Sequence, residues 1–435
     1  MCCQVEEKVR SNGCNGLLDL VAMADVSHEG VHFSAQRAKP SHEVAANEPS
    51  RSRYPGVPAL NASPQVAGVH SEVWMRALGH AIDHSLQSSK THERSAGPPL
   101  FGLFWTRGRR GLRLATAPMS SVSISEFLAQ SPELIRAQLP AFLSGYIAPD
   151  SDHGEVVQRS IERALESVSS QEWADLLELY GSLGQDYGSQ PSHPLARELL
   201  LAFVQPLIGE GSDLTGLEHL DAAMAAIHAG RRVLLICNHL SYADTICTYG
   251  LLERMGRLDA LGRLCTVAGP KVYADPMRRM GIAGGHSISV AQSSRLATNE
   301  VVLSPRESVK IARRCFNDAA SEMDQGQLVL LYPEGTRSRT GHQGPFFRGV
   351  ARWVTIDGVL LLPLGQWGGE TIDRLSDDWM RPGVVCGRFG PLLDTRALVG
   401  EQGMSREAVL EACHEAVAAL LPPNYGPVAE APRLV

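Results

Sequence analysis

From residue 120 to about 230, apolar positions recur at helical spacing. Val157, Ile161, Ala164, Leu165 and Val168 fall on one face of a helix, as do Trp173, Leu176, Leu177 and Tyr180. "PLARELLLAFVQPLI" opens with Pro194 at a first helical position, where the missing N–H costs nothing, and Pro206 interrupts it late. "GLEHLDAAMAAIHAG" stops at Gly230. After residue 231 the pattern changes. "RVLLIC", "SISV" at 287–290, "QLVLL", "GVLLLPLG" and "GVVCGRFG" read as strands. Between them run helical patterns through "TICTYGLLERM", through Val309, Ala312, Phe316, Ala320 and Met323, and from Ser405 to Leu421. Ser304-Pro305-Arg306-Glu307 has the order of a capping box with proline at the first helical position. This alternation predicts an α/β fold, a mixed central sheet flanked by helices and preceded by a small helical region.

The two ends differ from the middle. Residues 1–118 carry seven of the fifteen histidines, many Ser, Pro and Gly, and little sustained periodicity. They read as a disordered leader. A transit peptide is the functional alternative, but such peptides are poor in acids, and Glu6, Glu7, Asp19 and Asp25 come early. The expected organisation is a leader over 1–118, a helical region over 119–230, an α/β domain over 231–423 and a disordered tail over 424–435. The native chain is expected to start at Met119.

Composition narrows the classes. A length of 435 residues allows two or three domains, and a net charge of −7 argues against general nucleic-acid binding. The nine cysteines are odd in number and form no CxxC pair, which suggests a reducing compartment rather than a disulfide framework or a zinc knuckle. No apolar run approaches the ~18 residues of a membrane span. The expected place is the cytoplasm, or the plastid stroma if the leader is a transit peptide, with peripheral contact at a membrane surface as a further expectation.

Two stretches carry the chemistry. "LLICNHLSYADT" runs an apolar strand into Asn238-His239 and places Asp244 five residues past the histidine. One reading is a capping box, with Ser241 as cap and Asp244 as the third helical residue. That leaves His239 unexplained at the carboxyl end of a strand, where open α/β sheets hold ligands. If His239 precedes the helix, the first turn can bring Asp244 to Nδ1. The acid then fixes the tautomer and leaves the other ring nitrogen as a base. "YPEGTRSRTG" also follows a strand. Its Arg337 and Arg339 would make an anion site, or else a solvated loop with Glu334 as salt-bridge partner. No phosphate-binding P-loop is present.

Together, "NHLSYAD" and, about ninety residues later, "YPEGTRSR" resemble the glycerolipid acyltransferase family. "PFFRG" and "LLLPLG" are similar to its following blocks. The forepart with "HPLARELLLAFVQPLI", and "VAGPKVYADPMRRMGI" between the motifs, are similar to the soluble plastid-type glycerol-3-phosphate acyltransferases. The resemblance implies a catalytic pair, His239 and Asp244, and acceptor contacts from Arg295, Glu334, Gly335, Thr336, Arg337 and Arg339. Ser294-Arg295 stands where that type has a basic pair, so one of the two cations is missing. Glu334 matches the membrane-bound type instead. The implied donor is acyl-CoA or an acyl carrier protein thioester. The implied acceptor is glycerol 3-phosphate, or alternatively its 1-acyl form.

The implied chemistry is general-base acyl transfer with no metal and no bound cofactor. His239 would take the hydroxyl proton, the arginines would clamp the phosphate, and Glu334 would hold a glycerol hydroxyl. N–H groups near Gly335 would face the developing oxyanion. Two other classes compete. One is a non-catalytic phosphate- or phospholipid-binding module. The other is a serine hydrolase built on Ser287 in "GGHSIS", with His342 or His414 as base. Cys237 ends an apolar strand and reads as a small hydrophobe rather than a nucleophile. The basic run Arg254, Arg257, Arg263, Lys271, Arg278 and Arg279 reads as a solvated surface, or as a dock for an acidic carrier or anionic headgroups.

Overall fold

A computed structural model describes residues 103–108, 111–116, 123–291, 303–375 and 377–427. Met119, Arg295, most of the expected leader and residues 428–435 lie outside them. Strands β1 (Leu103–Gly108) and β2 (Gly111–Thr116) pair as an antiparallel hairpin, within the stretch expected to be leader.

The remaining strands form one sheet. They are β3 (Gly188–Gln190), β4 (Asp213–Thr215), β5 (Val233–Cys237), β6 (Leu264–Ala268), β7 (His286–Ser289), β8 (Leu328–Leu331), β9 (Leu360–Trp367), β10 (Cys386–Phe389) and β11 (Leu393–Asp394). Their order is β3-β7-β6-β8-β5-β9-β10-β4, with β11 alongside β9. The central run β7-β6-β8-β5-β9 is parallel, β3 joins β7 and both β10 and β11 join β9 antiparallel, and β4 joins β10 in parallel. The sheet is mixed and flanked by helices, as the alternation of patterns predicts.

Successive strand residues point to opposite faces, so a strand buried on both faces feeds two cores. In β5, Val233, Leu235 and Cys237 enter one apolar cluster, and Leu234 and Ile236 enter the other. β8 divides the same way, Leu328 and Leu330 against Val329 and Leu331. The second cluster is closed by helices Pro305–Asp324 and Arg406–Ala418, through Cys315, Ala319, Met323, Val409, Leu410, Cys413 and Val417. The Ser304 capping box is formed, with Glu307 returning to the Ser304 N–H.

The first cluster is closed by the helices of residues 123–228. Phe142, Ile161, Trp173, Leu199 and Phe203 belong to the same cluster as the sheet residues. The stretch expected as a helical region also lends β3 and β4 to the sheet. Residue 230 therefore marks no break in packing. These three-residue strands, like β6, are too short or too mixed for a periodic signal. Helix Pro194–Val204 ends just before Pro206 and continues as a 3-10 turn, Gln205–Leu207. At the far end, Asn424–Gly426 is not a loose tail: Tyr425 accepts from Gln343 N–H through its carbonyl at 2.9 Å.

No helix among the described residues is long and apolar enough to cross a membrane.

Candidate active site

β5 and β8 are parallel neighbours, so their carboxyl ends open on the same edge of the sheet. His239 follows β5 by two residues. Helix Asp244–Arg254 begins only at Asp244, and its cap position is Ala243. The first turn therefore carries the acid back over the preceding loop. Asp244 Oδ2 lies 2.9 Å from His239 Nδ1, and it also accepts from the Leu240 N–H at 2.7 Å and the Ser241 N–H at 2.9 Å.

Both readings of Asp244 meet in this one oxygen. It caps the Ser241 N–H as a capping-box acid would, and it holds the imidazole. The reciprocal half of the box is absent, because Ser241 Oγ accepts from Ala243 N–H and donates to the Asp373 carbonyl. A carboxylate on Nδ1 places the ring proton there and leaves Nε2 as the acceptor. Nε2 has no hydrogen-bond partner among the described residues. The His239 side chain is 16% exposed and that of Asp244 2%, so a ligand can reach the ring but not the acid behind it.

The floor of the site is rigid. Asn238 donates from Nδ2 to the Gln366 carbonyl and accepts from Gln366 N–H at Oδ1, both at 2.8 Å. Gln366 Nε2 donates to the Asp244 carbonyl and its Oε1 accepts from Thr248. Tyr332, at the end of β8, stacks on the His239 ring with centroids 4.3 Å apart. Its hydroxyl pairs with that of Thr245, and burial raises its pKa well above the usual phenol range.

The loop after β8 is fastened at two points. Glu334 Oε1 accepts from His239 N–H at 2.9 Å and Oε2 from Gly344 N–H at 3.0 Å. Ser338 N–H donates to the His239 carbonyl at 2.7 Å. Both oxygens of Glu334 thus accept from backbone N–H groups, and it pairs with neither arginine. Its role in this loop is a brace. Burial raises its pKa to about 8, which the two N–H donors only partly offset. The Gly335 N–H closes a turn onto the Tyr332 carbonyl, with φ at 68°, so it is not available for an oxyanion. Gly335, Thr336 and Arg339 are exposed, and among the described residues Arg339 forms no hydrogen bond or ion pair.

Arg337 does join His239. Its guanidinium carbon lies 3.6 Å from the Tyr242 ring centroid, and that of Arg278 lies 3.9 Å from the same point. Two groups that close cannot share a face, so the tyrosine is held between them. The Tyr242 ring is 6.4 Å from the His239 ring. The charge of this pair is met by one carboxylate, Asp373, whose Oδ2 is 3.9 Å from Arg337 Nη1. Burial raises the Asp373 pKa, against the pull of Arg278 and Arg337.

Tyr242, Arg278, Tyr332 and Asp373 were not singled out for the site by the sequence. Asp373 had a usable signal, because β9 runs parallel to β5 and its following loop must open on the same edge. Arg278 had none, since its neighbour Arg279 has the same chemistry and the opposite fate. Arg279 is buried and donates to the Tyr273 and Tyr180 carbonyls. Three other basic residues of that run have partners at the surface. Arg254 binds the Gly209 and Ile208 carbonyls, Arg257 pairs with Asp221, and Arg263 pairs with Asp259.

The rival nucleophiles fare poorly. Ser287 is fully buried inside β7, with its hydroxyl accepting from Tyr273. His342 and His414 point to the Gly426 and Gly344 carbonyls instead. Cys237 is buried, and desolvation holds its thiol well above the usual range, so it has no thiolate to offer. Among the described residues no three His, Cys, Asp or Glu side chains gather as metal ligands.

Residues 213–367, a little over a third of the chain, match the family model described as Acyltransferase. The match spans His239, Asp244, Arg278, Glu334 and Arg337. Among solved structures, the chain is similar to the 1-acyl-sn-glycerophosphate (LPA) acyltransferase PlsC from Thermotoga maritima. The identity is 15%, the alignment covers 65% of this chain and 96% of that one, and the TM-score is 0.34. A likeness of that size carries no argument. No curated protein matches the chain.

Proposed function

We propose that this chain, with an Acyltransferase-type segment over residues 213–367, transfers a fatty acyl group from acyl-CoA or an acyl carrier protein thioester to a hydroxyl of glycerol 3-phosphate. The observation that carries the proposal is the His239–Asp244 pair, closed at 2.9 Å with Nε2 free, beside the Arg278–Tyr242–Arg337 sandwich. A binding module has no use for a polarised base. Two guanidinium groups converge on one ring with Asp373 beside them, a fork geometry that suits the oxygens of a phosphate. Arg337 and Arg278 are the cations this reading relies on, whereas Arg339 has no anchor in the described structure.

In the proposed reaction, Nε2 of His239 removes the acceptor's hydroxyl proton as its oxygen attacks the thioester carbonyl. The new C–O bond forms, the C–S bond breaks, and the imidazolium returns its proton to the leaving thiolate. Asp244 stabilises the imidazolium and holds the ring. General-base assistance of this kind is worth about 10²–10⁴-fold. The thiolate is a good leaving group, so no acyl-enzyme is required.

The test follows thiol release from acyl-CoA, and from the acyl carrier protein thioester, with glycerol 3-phosphate, with 1-acylglycerol 3-phosphate and with no acceptor. The expected result is release that needs glycerol 3-phosphate, is lost in His239→Ala and persists in Ser287→Ala. Preference for the 1-acyl acceptor would move the substrate one step along the same chemistry. Release without acceptor would mean hydrolysis, and phosphate binding without release would mean a binding module.

A further inference from the structure

The residues after helix Arg406–Ala418 return to the site and touch both of its supports. The chain turns at Pro422, whose carbonyl accepts from Tyr425 N–H at 2.8 Å. On one side, the Tyr425 carbonyl accepts from Gln343 N–H at 2.9 Å, and the Gly426 carbonyl lies 3.1 Å from His342 Nδ1. The adjoining Gly344 N–H is the donor that holds Glu334, and Glu334 holds the His239 N–H. On the other side, Tyr425 Oη donates to Glu370 Oε1 at 2.7 Å, and Glu370 Oε2 accepts from Gly368 N–H at 3.0 Å.

That second arm ends on the acid of the pair. Gly369 lies so close to Asp244 that a β-carbon there would come within 2.5 Å of Oδ1. Oδ1 is buried and has no hydrogen-bond partner, so packing against the Gly369 backbone, not a hydrogen bond, sets this side of the carboxylate. Oδ2, on the other side, carries all three donors. A carboxylate held by bonds on one oxygen and by contact on the other can swing if the contact recedes.

We propose that Tyr425 is a positioning residue for the His239–Asp244 pair. Its hydroxyl holds Glu370, Glu370 holds the Gly368-Gly369 turn, and that turn keeps Asp244 seated on the imidazole. The same C-terminal turn braces the Glu334 arm through Gln343. The inference rests on the acyltransferase reading for its catalytic consequence, but not for its structural content.

The experiment uses the full chain and the variants Tyr425→Phe, Glu370→Ala and their double. It measures acceptor-dependent turnover, acceptor KM, thermal midpoint and amide hydrogen exchange at His239, Leu240 and Ser241. Loss of one hydrogen bond of this kind is expected to lower kcat about three- to tenfold and to speed exchange at those three amides by a similar factor. Acceptor KM and exchange within β5 stay as in the wild type. Glu370→Ala gives the same change, and the double variant is no worse than either single, because both act through one link. Glu370→Gln, which can still bond Gly368 and Tyr425, retains most of the wild-type turnover. Unchanged exchange at 239–241 overturns the proposal, as does a strictly additive double variant or a uniform rise across the whole chain. If the wild type transfers no acyl group, the function reading fails, and the exchange measurement still decides the role of Tyr425.

Discussion

The loops after β5 and β8 leave the same sheet edge side by side, yet they are built differently. In the first, nearly every group between Asn238 and Asp244 is buried and bonded, and three donors converge on one carboxylate oxygen. In the second, Glu334 and Ser338 hydrogen-bond to the neighbouring loop and Arg337 stacks on its Tyr242, while Gly335, Thr336 and Arg339 face solvent. On the proposed reading the first loop carries a proton-transfer pair, which needs a fixed distance, and its loop is over-determined. On the same reading the second loop admits and releases a charged substrate, which needs fixed roots and a free tip.

The sharpest way to break this contrast is Asp244→Asn. The amide cannot serve all three donors, and the imidazole loses its orientation. Turnover is expected to fall by about 10⁴-fold, the cost of the equivalent change in a Ser–His–Asp triad. Steady-state kinetics on correctly folded protein, checked by circular dichroism, measures this. Gly369→Ala is expected to follow, with a loss in kcat of up to about 10²-fold, because a displaced acid misplaces the base. Its acceptor KM should hardly move.

The second loop should answer in the other parameter. Arg337→Ala removes a charge-assisted contact, and the acceptor KM is expected to rise about 10–100-fold with a smaller change in kcat. An equal fall in kcat instead would place Arg337 with the pair rather than with the acceptor.

The smallest effect concerns the root of that loop. The folded-state pKa of Glu334 is raised to about 8 by burial, above its ordinary value of 4.5. A raised carboxyl is protonated when folded and ionised when unfolded between those two values, so it costs stability as pH rises through that window. The thermal midpoint of the wild type should therefore fall from about pH 5 to about pH 9 more steeply than that of Glu334→Gln, which has nothing to titrate. Parallel curves would mean that Glu334 is ionised in the folded protein.

The comparison also separates what could be read from the chain. β5, β8 and β9 were legible because they are runs of Leu, Val and Ile buried on both faces. The His239–Asp244 pair was legible because a histidine after such a strand has few structural uses. The bracing contacts of Glu334 were not legible, since its two partners are backbone N–H groups, one of them 95 residues away, and backbone donors leave no mark in a residue pattern. Arg278 and Tyr242 were missed for a related reason. Their contact joins the end of one loop to helix Pro276–Ala283, and only the packing of that helix separates Arg278 from buried Arg279.

Asn238 has one more consequence. Its amide exchanges a donor and an acceptor with the Gln366 backbone, imitating a peptide group one step past the last paired residue of β5. The imidazole thereby stands at a counted height above the sheet. Deleting or inserting a single residue at this rung would turn the ring to the opposite side of the layer, while nearly every apolar contact below it survived.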